Sequence, residues 1–264
     1  VRCHRWLEAS ALAAALACTY AQAAQAGPRV VQVQPSGPEV PANLLRISIQ
    51  FAASVDGPLL PRLSLQRADG KPIEVPFLEQ DLWSPSGKVL TVLMHPGRVK
   101  SGLNARAAMG PILSTGDDVV LALDGRPIKR WSVAAPDETG PVASEWKVSE
   151  VRVDTKQPLV VTLDGPIDGR DADYLAIADG RNHRVAGHAQ LTNGEGTWTF
   201  TPSVPWRAGT YQLVARGTLE DSAGNRMGSH FETSIDSPPG RPDDVVVAFA
   251  AAPSRRPSHA PPNR

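Results

Sequence analysis

The chain of 264 residues carries 27 Lys plus Arg against 27 Asp plus Glu, so no net field draws in nucleic-acid phosphates or acidic lipids, and nucleic acid is not expected as a partner. Its length accommodates one large core or two ordinary ones. With 25 Pro and 22 Gly, it suits many short strands and turns better than long helices.

The chain opens on "VRCHRWLEASALAAALACTYAQAAQAGPRV". A basic start (Arg2, Arg5), an Ala/Leu run over 9–17 and small residues ahead of Gly27 read as a secretory signal peptide over residues 1–26, cleaved after Ala24-Gln25-Ala26. The alternative is an amphipathic first helix of the mature fold, but Ala-rich and Gln-rich sequence offers little to pack. Both cysteines, Cys3 and Cys18, lie in this segment, so a chain cleaved there has no thiol and no disulfide. "ALAC" at Cys18 loosely resembles the lipobox of bacterial lipoproteins, although Ala15 stands where Leu is usual and Glu8 interrupts the apolar region. A membrane anchor follows only if Cys18 is acylated. No other run approaches the roughly 18 apolar residues of a spanning helix.

Strand patterns dominate from residue 30 onward. In "LLRISIQF", Leu45, Ile47, Ile49 and Phe51 face one way and Arg46, Ser48 and Gln50 the other, the period of a half-buried strand. "TWTFT" sets Trp198 and Phe200 on one face, and "TYQLVAR" does the same with Tyr211, Leu213 and Ala215. Asp-Gly pairs begin at Asp56, Asp69, Asp124, Asp164, Asp168 and Asp179, and Asn193-Gly194 separates two strand-like runs. Such dipeptides supply the positive φ of tight hairpins.

The two halves repeat one pattern. "LLRISIQFAASVDG" corresponds to "PLVVTLDGPIDG", "RLSLQRADGKPIEVPF" to "YLAIADGRNHRVAGHAQL", "LWSPSGKVLTVLMHP" to "TNGEGTWTFTPSVP", and "STGDDVVLALDG" to "RAGTYQLVARGTLEDSAG". Each unit has about 100 residues, the scale of an antiparallel β-sandwich. The joint falls in "AAPDETGPVASEW", whose Pro and small polar residues mark a linker. The expected layout is a first sandwich over 27–138, a second over 139–238, and a Pro-rich disordered tail over 239–264 with a short extended piece at most around 245–249.

"GTYQLVARGTLEDSAGNRMGSHFETSID" resembles the final hairpin of bacterial Ig-like domains of S-layer and other surface proteins, with Gly209, Thr210 and Tyr211 at its start and Asp221, Ala223, Gly224 and Asn225 in its turn. The first half shares only the strand pattern and has "LALDGRPIKRW" in place of the turn. The resemblance implies an all-β chain of two tandem Ig-like sandwiches, exported to the periplasm or the cell exterior. It implies no catalytic residue and no cofactor.

Several groups invite a chemical reading. In "TLEDSAGN", Asp221 and Asn225 are expected to cap a turn; a calcium site would need more convergent oxygens. "DGPIDGRDADY" gathers Asp164, Asp168, Asp171 and Asp173, without EF-hand spacing and with Arg170 opposing a cation. "HPGRVKSGLNAR" places His95, Arg98, Lys100 and Arg106 in one loop that could grip a carboxylate or phosphate on a partner. Trp83, beside a turn, is the tryptophan best placed to stack on a sugar, while Trp131, Trp146, Trp198 and Trp206 suit cores. The histidines lack zinc spacing, and no G-x-S-x-G, P-loop or G-x-G-x-x-G occurs. The expected role is a non-enzymatic envelope protein contacting a protein or polysaccharide, with a carbohydrate-binding module or an accessory domain of an exported hydrolase as the alternative.

Overall fold

A computed structural model describes residues 27–99, 104–227 and 243–253. The first unit contains β1 (Val30–Gln34), β2 (Glu39–Pro41), β3 (Arg46–Phe51), β4 (Leu63–Arg67), β5 (Leu82–Trp83), β6 (Val89–Leu93), the short helices α1 (Pro96–Val99) and α2 (Asn104–Met109), β7 (Asp118–Leu123) and β8 (Arg126–Ala134). The second contains β9 (Lys147–Val148), β10 (Val151–Arg152), β11 (Leu159–Thr162), β12 (Leu175–Asp179), β13 (Gly187–Thr192), β14 (Thr197–Pro202), β15 (Gly209–Ala215) and β16 (Val245–Ala252).

Each unit is two four-stranded sheets packed face to face. The orders are β1-β3-β6-β5 over β2-β8-β7-β4, and β9-β11-β14-β13 over β10-β16-β15-β12. The topology is the same in both: the first segment splits between the sheets, and its second piece pairs parallel with the last strand, β2 with β8 and β10 with β16. The chain is therefore all-β, built as tandem Ig-like sandwiches.

Alternation directs the faces. Ile47, Ile49 and Phe51 enter the first core with Leu90, Val92, Leu121 and Trp131, while Leu45 is buried outside that cluster. Trp198, Trp206, Leu213 and Ala215 enter the second with Leu159 and Val161. Buried indoles need a partner for their N–H. Trp198 donates to Ala172 O at 2.9 Å, Trp206 to Gln157 O at 2.8 Å and Trp131 to Pro35 O at 3.0 Å. The Tyr211 hydroxyl accepts from Arg207 N at 3.0 Å and donates to Arg207 O at 3.1 Å, the tyrosine corner of Ig-like sandwiches. Asp124 and Gly125 hold φ of 51° and 73° between β7 and β8, the left-handed pair that a two-residue hairpin requires.

One element departs from the sequence reading. Residues 245–252, assigned there to the tail, form β16, which pairs with β15 from Gly209↔Ala251 to Ala215↔Val245. Phe249 packs 5.6 Å from Tyr211 and 6.0 Å from Trp206, ring centre to ring centre. The apolar run completes a sheet that would otherwise leave the β15 edge open, and this non-local gain outweighs the Pro-rich flanks that dominate its composition. The end of the hairpin that the resemblance implies, over 228–236, lies outside the described residues.

Candidate functional site

The charged side chains that the fold brings together lie at the junction of the two units. Arg46 starts β3 and reaches the second unit, where its Nη1 lies 3.2 Å from Asp168 Oδ2 and its Nη2 contacts Glu220 Oε2. The three side chains are 12%, 4% and 14% exposed. Arg170 Nε adds a bond of 3.1 Å to Asp168, and Arg226 Nε one of 2.8 Å to Glu220. Arg46 Nε is buried without a hydrogen-bond partner among the described residues.

Around this network the backbone is tied across the joint. Leu45 N donates to Ser222 O at 3.0 Å. Asp137 O, in the linker, accepts from Asn43 Nδ2 at 2.7 Å and from Asn225 Nδ2 at 2.9 Å, one from each unit. The buried Glu195, in the β13–β14 hairpin, accepts from Ser36 N at 2.8 Å and Gln34 Nε2 at 3.3 Å. That hairpin needs glycine at position 194: its φ is +64°, and a Cβ there would meet Gly37 Cα at 3.1 Å.

Two buried carboxyls give the junction its electrostatics. Burial pushes Asp171 up to about 7; the neighbouring Asp168 and Glu220 charges add to this, and the Glu220 N–H, donated at 3.0 Å, opposes it. Burial likewise pushes Asp221 up to about 6, against the bonds from Asn225 and Ala223. Asp221 Oδ1 accepts from Ala223 N at 2.8 Å and Asn225 N at 2.9 Å, so the turn over 221–225 is capped by its own aspartate. A cleft of about 300 Å³ opens beside the joint, lined by Pro35, Pro41, Pro136 and Pro166 with Glu39 and Asp137.

The acids of "DGPIDGRDADY" separate. Asp168 and Asp171 face the junction, and Asp173 is exposed. Asp164 is taken by Trp146 Nε1 at 2.7 Å and Val142 N at 2.9 Å. Among the described residues no group of three or more His, Cys, Asp or Glu is placed to hold a metal.

In the basic segment of the first unit, Arg98 and Arg106 turn donors onto backbone carbonyls. Arg98 is buried and donates to Glu74 O, to Gly110 O at 3.1 Å and to Val75 O and Pro111 O at 3.2 Å, because a buried guanidinium must spend its donors on whatever carbonyls surround it. Arg106 Nη1 donates to Val99 O at 2.6 Å at the end of α1. His95 is half-buried, its Nδ1 without a partner among the described residues. Lys100 lies outside the described residues. Trp83 is half-buried and tilted against Phe51 at 5.9 Å, and Trp131, Trp146, Trp198 and Trp206 are buried, so four of these five are core side chains.

Sequence reasoning missed Arg46, Glu195 and Glu220. Arg46 occupies an ordinary polar position of an alternating strand, and its contacts at separations of 122 and 174 residues leave no local signal.

Among proteins of curated function none matches the chain. Solved structures with likeness include an L,D-transpeptidase from Mycobacterium smegmatis (14% identity, TM-score 0.26, 62% of this chain and 61% of that one). A three-Ig segment of titin (11%, 0.24, 86% and 65%) and the BSP domain of a biofilm-associated protein (10%, 0.26, 86% and 30%) are also similar. The chain spans less than two thirds of the length of each, and likeness at these TM-scores carries no conclusion about activity or partners. Residues 161–237 match the family model of the bacterial Ig-like domain. With its strand order and tyrosine corner already in place, the second unit of this chain is a bacterial Ig-like domain.

Proposed function

We propose that this chain is an exported, non-catalytic envelope protein whose two Ig-like units act as one rigid body that holds its outer surfaces in fixed relation towards a protein partner. The observation that carries this reading is the junction: an arginine largely withdrawn from solvent between a buried Asp168 and a half-buried Glu220 is costly to assemble, and what it supplies is a fixed geometry between the units. The segment over 1–26, with its basic start and Ala/Leu run, supports export. The burial of four of the five described tryptophans, with Trp83 half-buried, favours protein contact over glycan stacking.

The test is affinity capture with tagged full-length chain, using solubilised envelope and isolated polysaccharides of the host. A reproducible protein partner, bound less well when Arg46 is replaced, is the expected result. Retention on polysaccharide alone would shift the reading to glycan binding, and turnover of a substrate lost on replacing an acid pair would overturn the non-catalytic role. The intact mass of the native product, with or without acyl chains on Cys18, decides between a released and an anchored form.

A further inference from the structure

We infer that the cleft beside the joint receives an arginine side chain of a protein partner. The inference rests on the protein-contacting role proposed above and assigns that contact a place on the chain.

The walls of the cleft come from both units. Glu39 of β2, Pro35 and the segment 134–137 belong to the first unit and its linker, and Pro166, Gly194 and Ser222 to the second. The same residues sit among the bonds that tie the units. Ser222 O accepts from Leu45 N, Asp137 O accepts from Asn43 and Asn225, and Gly194 packs on Gly37. The cleft is thus a fixed feature of the joint. Its volume of about 300 Å³ is at the lower end for ligand sites and admits one long side chain rather than a folded segment.

The lining selects a cation rich in donors. Prolines line it at 35, 41, 136 and 166, and proline has no N–H to offer. Among the described residues the Ser222 hydroxyl is the one side-chain donor in the lining, and no Lys, Arg or His belongs to it. The side-chain acceptors are two carboxylates. Glu39 is exposed, and its carboxylate bonds to nothing among the described residues. Asp137 Oδ1 accepts from Thr139 N at 3.1 Å and from the Thr139 hydroxyl at 3.2 Å, which leaves Oδ2 for a ligand.

The charges behind the walls point the same way. Burial raises the Asp221 carboxyl, and the charge of Asp137 adds to this. Glu195, next to Gly194, is buried and accepts from Ser36 N and Gln34 Nε2. The bases of this region are already engaged. Lys129 donates to Ser36 O at 2.6 Å and interacts with Glu195, while Arg46, Arg170 and Arg226 bond to Asp168 or Glu220.

Two properties choose arginine among cations. Its methylene stem covers apolar surface such as proline rings. Its planar fork of donors serves two carboxylates lining one cleft, whereas an ammonium is a compact, strongly hydrated charge. A bare metal ion is not served, since among the described residues no group of three or more His, Cys, Asp or Glu is placed to hold one.

The probe is Nα-acetyl-L-arginine methylamide, titrated into the isotope-labelled full chain and followed by amide chemical shifts. Saturable shifts at Val40, Ala135, Gly194 and Ser222, lining residues of both units, are expected with a Kd of about 1 mM. Glu39→Gln and Asp137→Asn keep side-chain size and an oxygen acceptor, and each weakens the probe about fivefold or more. Glu150→Gln, exposed and outside the lining, leaves it unchanged. The corresponding lysine probe binds about threefold more weakly or worse. No saturable shift at these amides up to about 20 mM overturns the inference. Binding that neither Glu39→Gln nor Asp137→Asn weakens does so too, as do arginine and lysine probes bound alike. The probe is a small molecule, so its failure strikes the cleft alone and leaves a captured partner standing. A capture that yields no protein removes the partner, while the preference of the cleft for arginine stands or falls by the titration.

Discussion

Replacing Arg46 with Ala probes the joint where the units are held. Arg46 Nη1 and Asp168 Oδ2 are 3.2 Å apart, and at an effective dielectric of about 20 that pair attracts by about 5 kcal/mol before desolvation is charged against it. Desolvation removes most of this in the intact network, but deleting one partner leaves carboxylates buried without their counter-charge, which costs about 3–5 kcal/mol. Arg170 still holds Asp168 and Arg226 still holds Glu220, so the low end applies, about 3 kcal/mol. The loss falls on the coupling between units. Calorimetry of wild type should therefore give one transition and Arg46→Ala two, with the urea midpoint lowered in Trp fluorescence, which reports on both units through Trp131 and Trp198. The control is Arg62→Ala, which breaks an exposed pair with Asp124 and should leave the midpoint unchanged. An Arg46→Ala protein that unfolds in one transition at the midpoint of that control would refute the reasoning.

Three further outcomes are expected. Asp171 has its carboxyl raised to about 7 by burial, so the folded chain keeps a proton that the unfolded chain releases near the ordinary carboxylate value. Its contribution to stability is full below that value and is lost as pH rises towards 7; Asp171→Asn, which keeps an oxygen for the Glu220 N–H, should flatten stability against pH in that window, as urea titrations would show. Arg98→Lys should destabilise the first unit by about 2–3 kcal/mol, because an ammonium cannot serve carbonyls spread around a guanidinium; a change under about 0.5 kcal/mol in urea unfolding would place that side chain in solvent. Phe249→Ala should cost about 2 kcal/mol by removing a half-buried ring from Trp206 and Tyr211, whereas a solvated tail would give no change in the same assay.

What the sequence revealed depended on the range of the interaction. The faces of β3 and β15 were legible because alternation is local: Ile47 and Ile49, or Tyr211 and Leu213, declare their side within a few residues. The turn over 221–225 was legible for the same reason, since Asp221 caps N–H groups two and four residues ahead. β16 was not, because eight apolar residues without alternation between Pro-rich flanks declare no face, and β15 alone gives them one. The acids of 164–173 were legible as residues but not as a site: Asp164 serves an indole N–H, Asp168 an arginine from the other unit and Asp171 a backbone N–H. Arg98 looked like a loop cation, and only the surrounding carbonyls make it a core group.

The most direct test of the account is whether the two units tumble as one body. Residual dipolar couplings measured on the labelled full chain should fit a single alignment tensor for β3, β6 and β7 together with β11, β14 and β15. Two tensors of different magnitude or orientation in the wild-type chain would mean that Arg46, Asp168 and Glu220 do not lock the joint, and the proposed rigid presentation of the two sandwiches would fall with it.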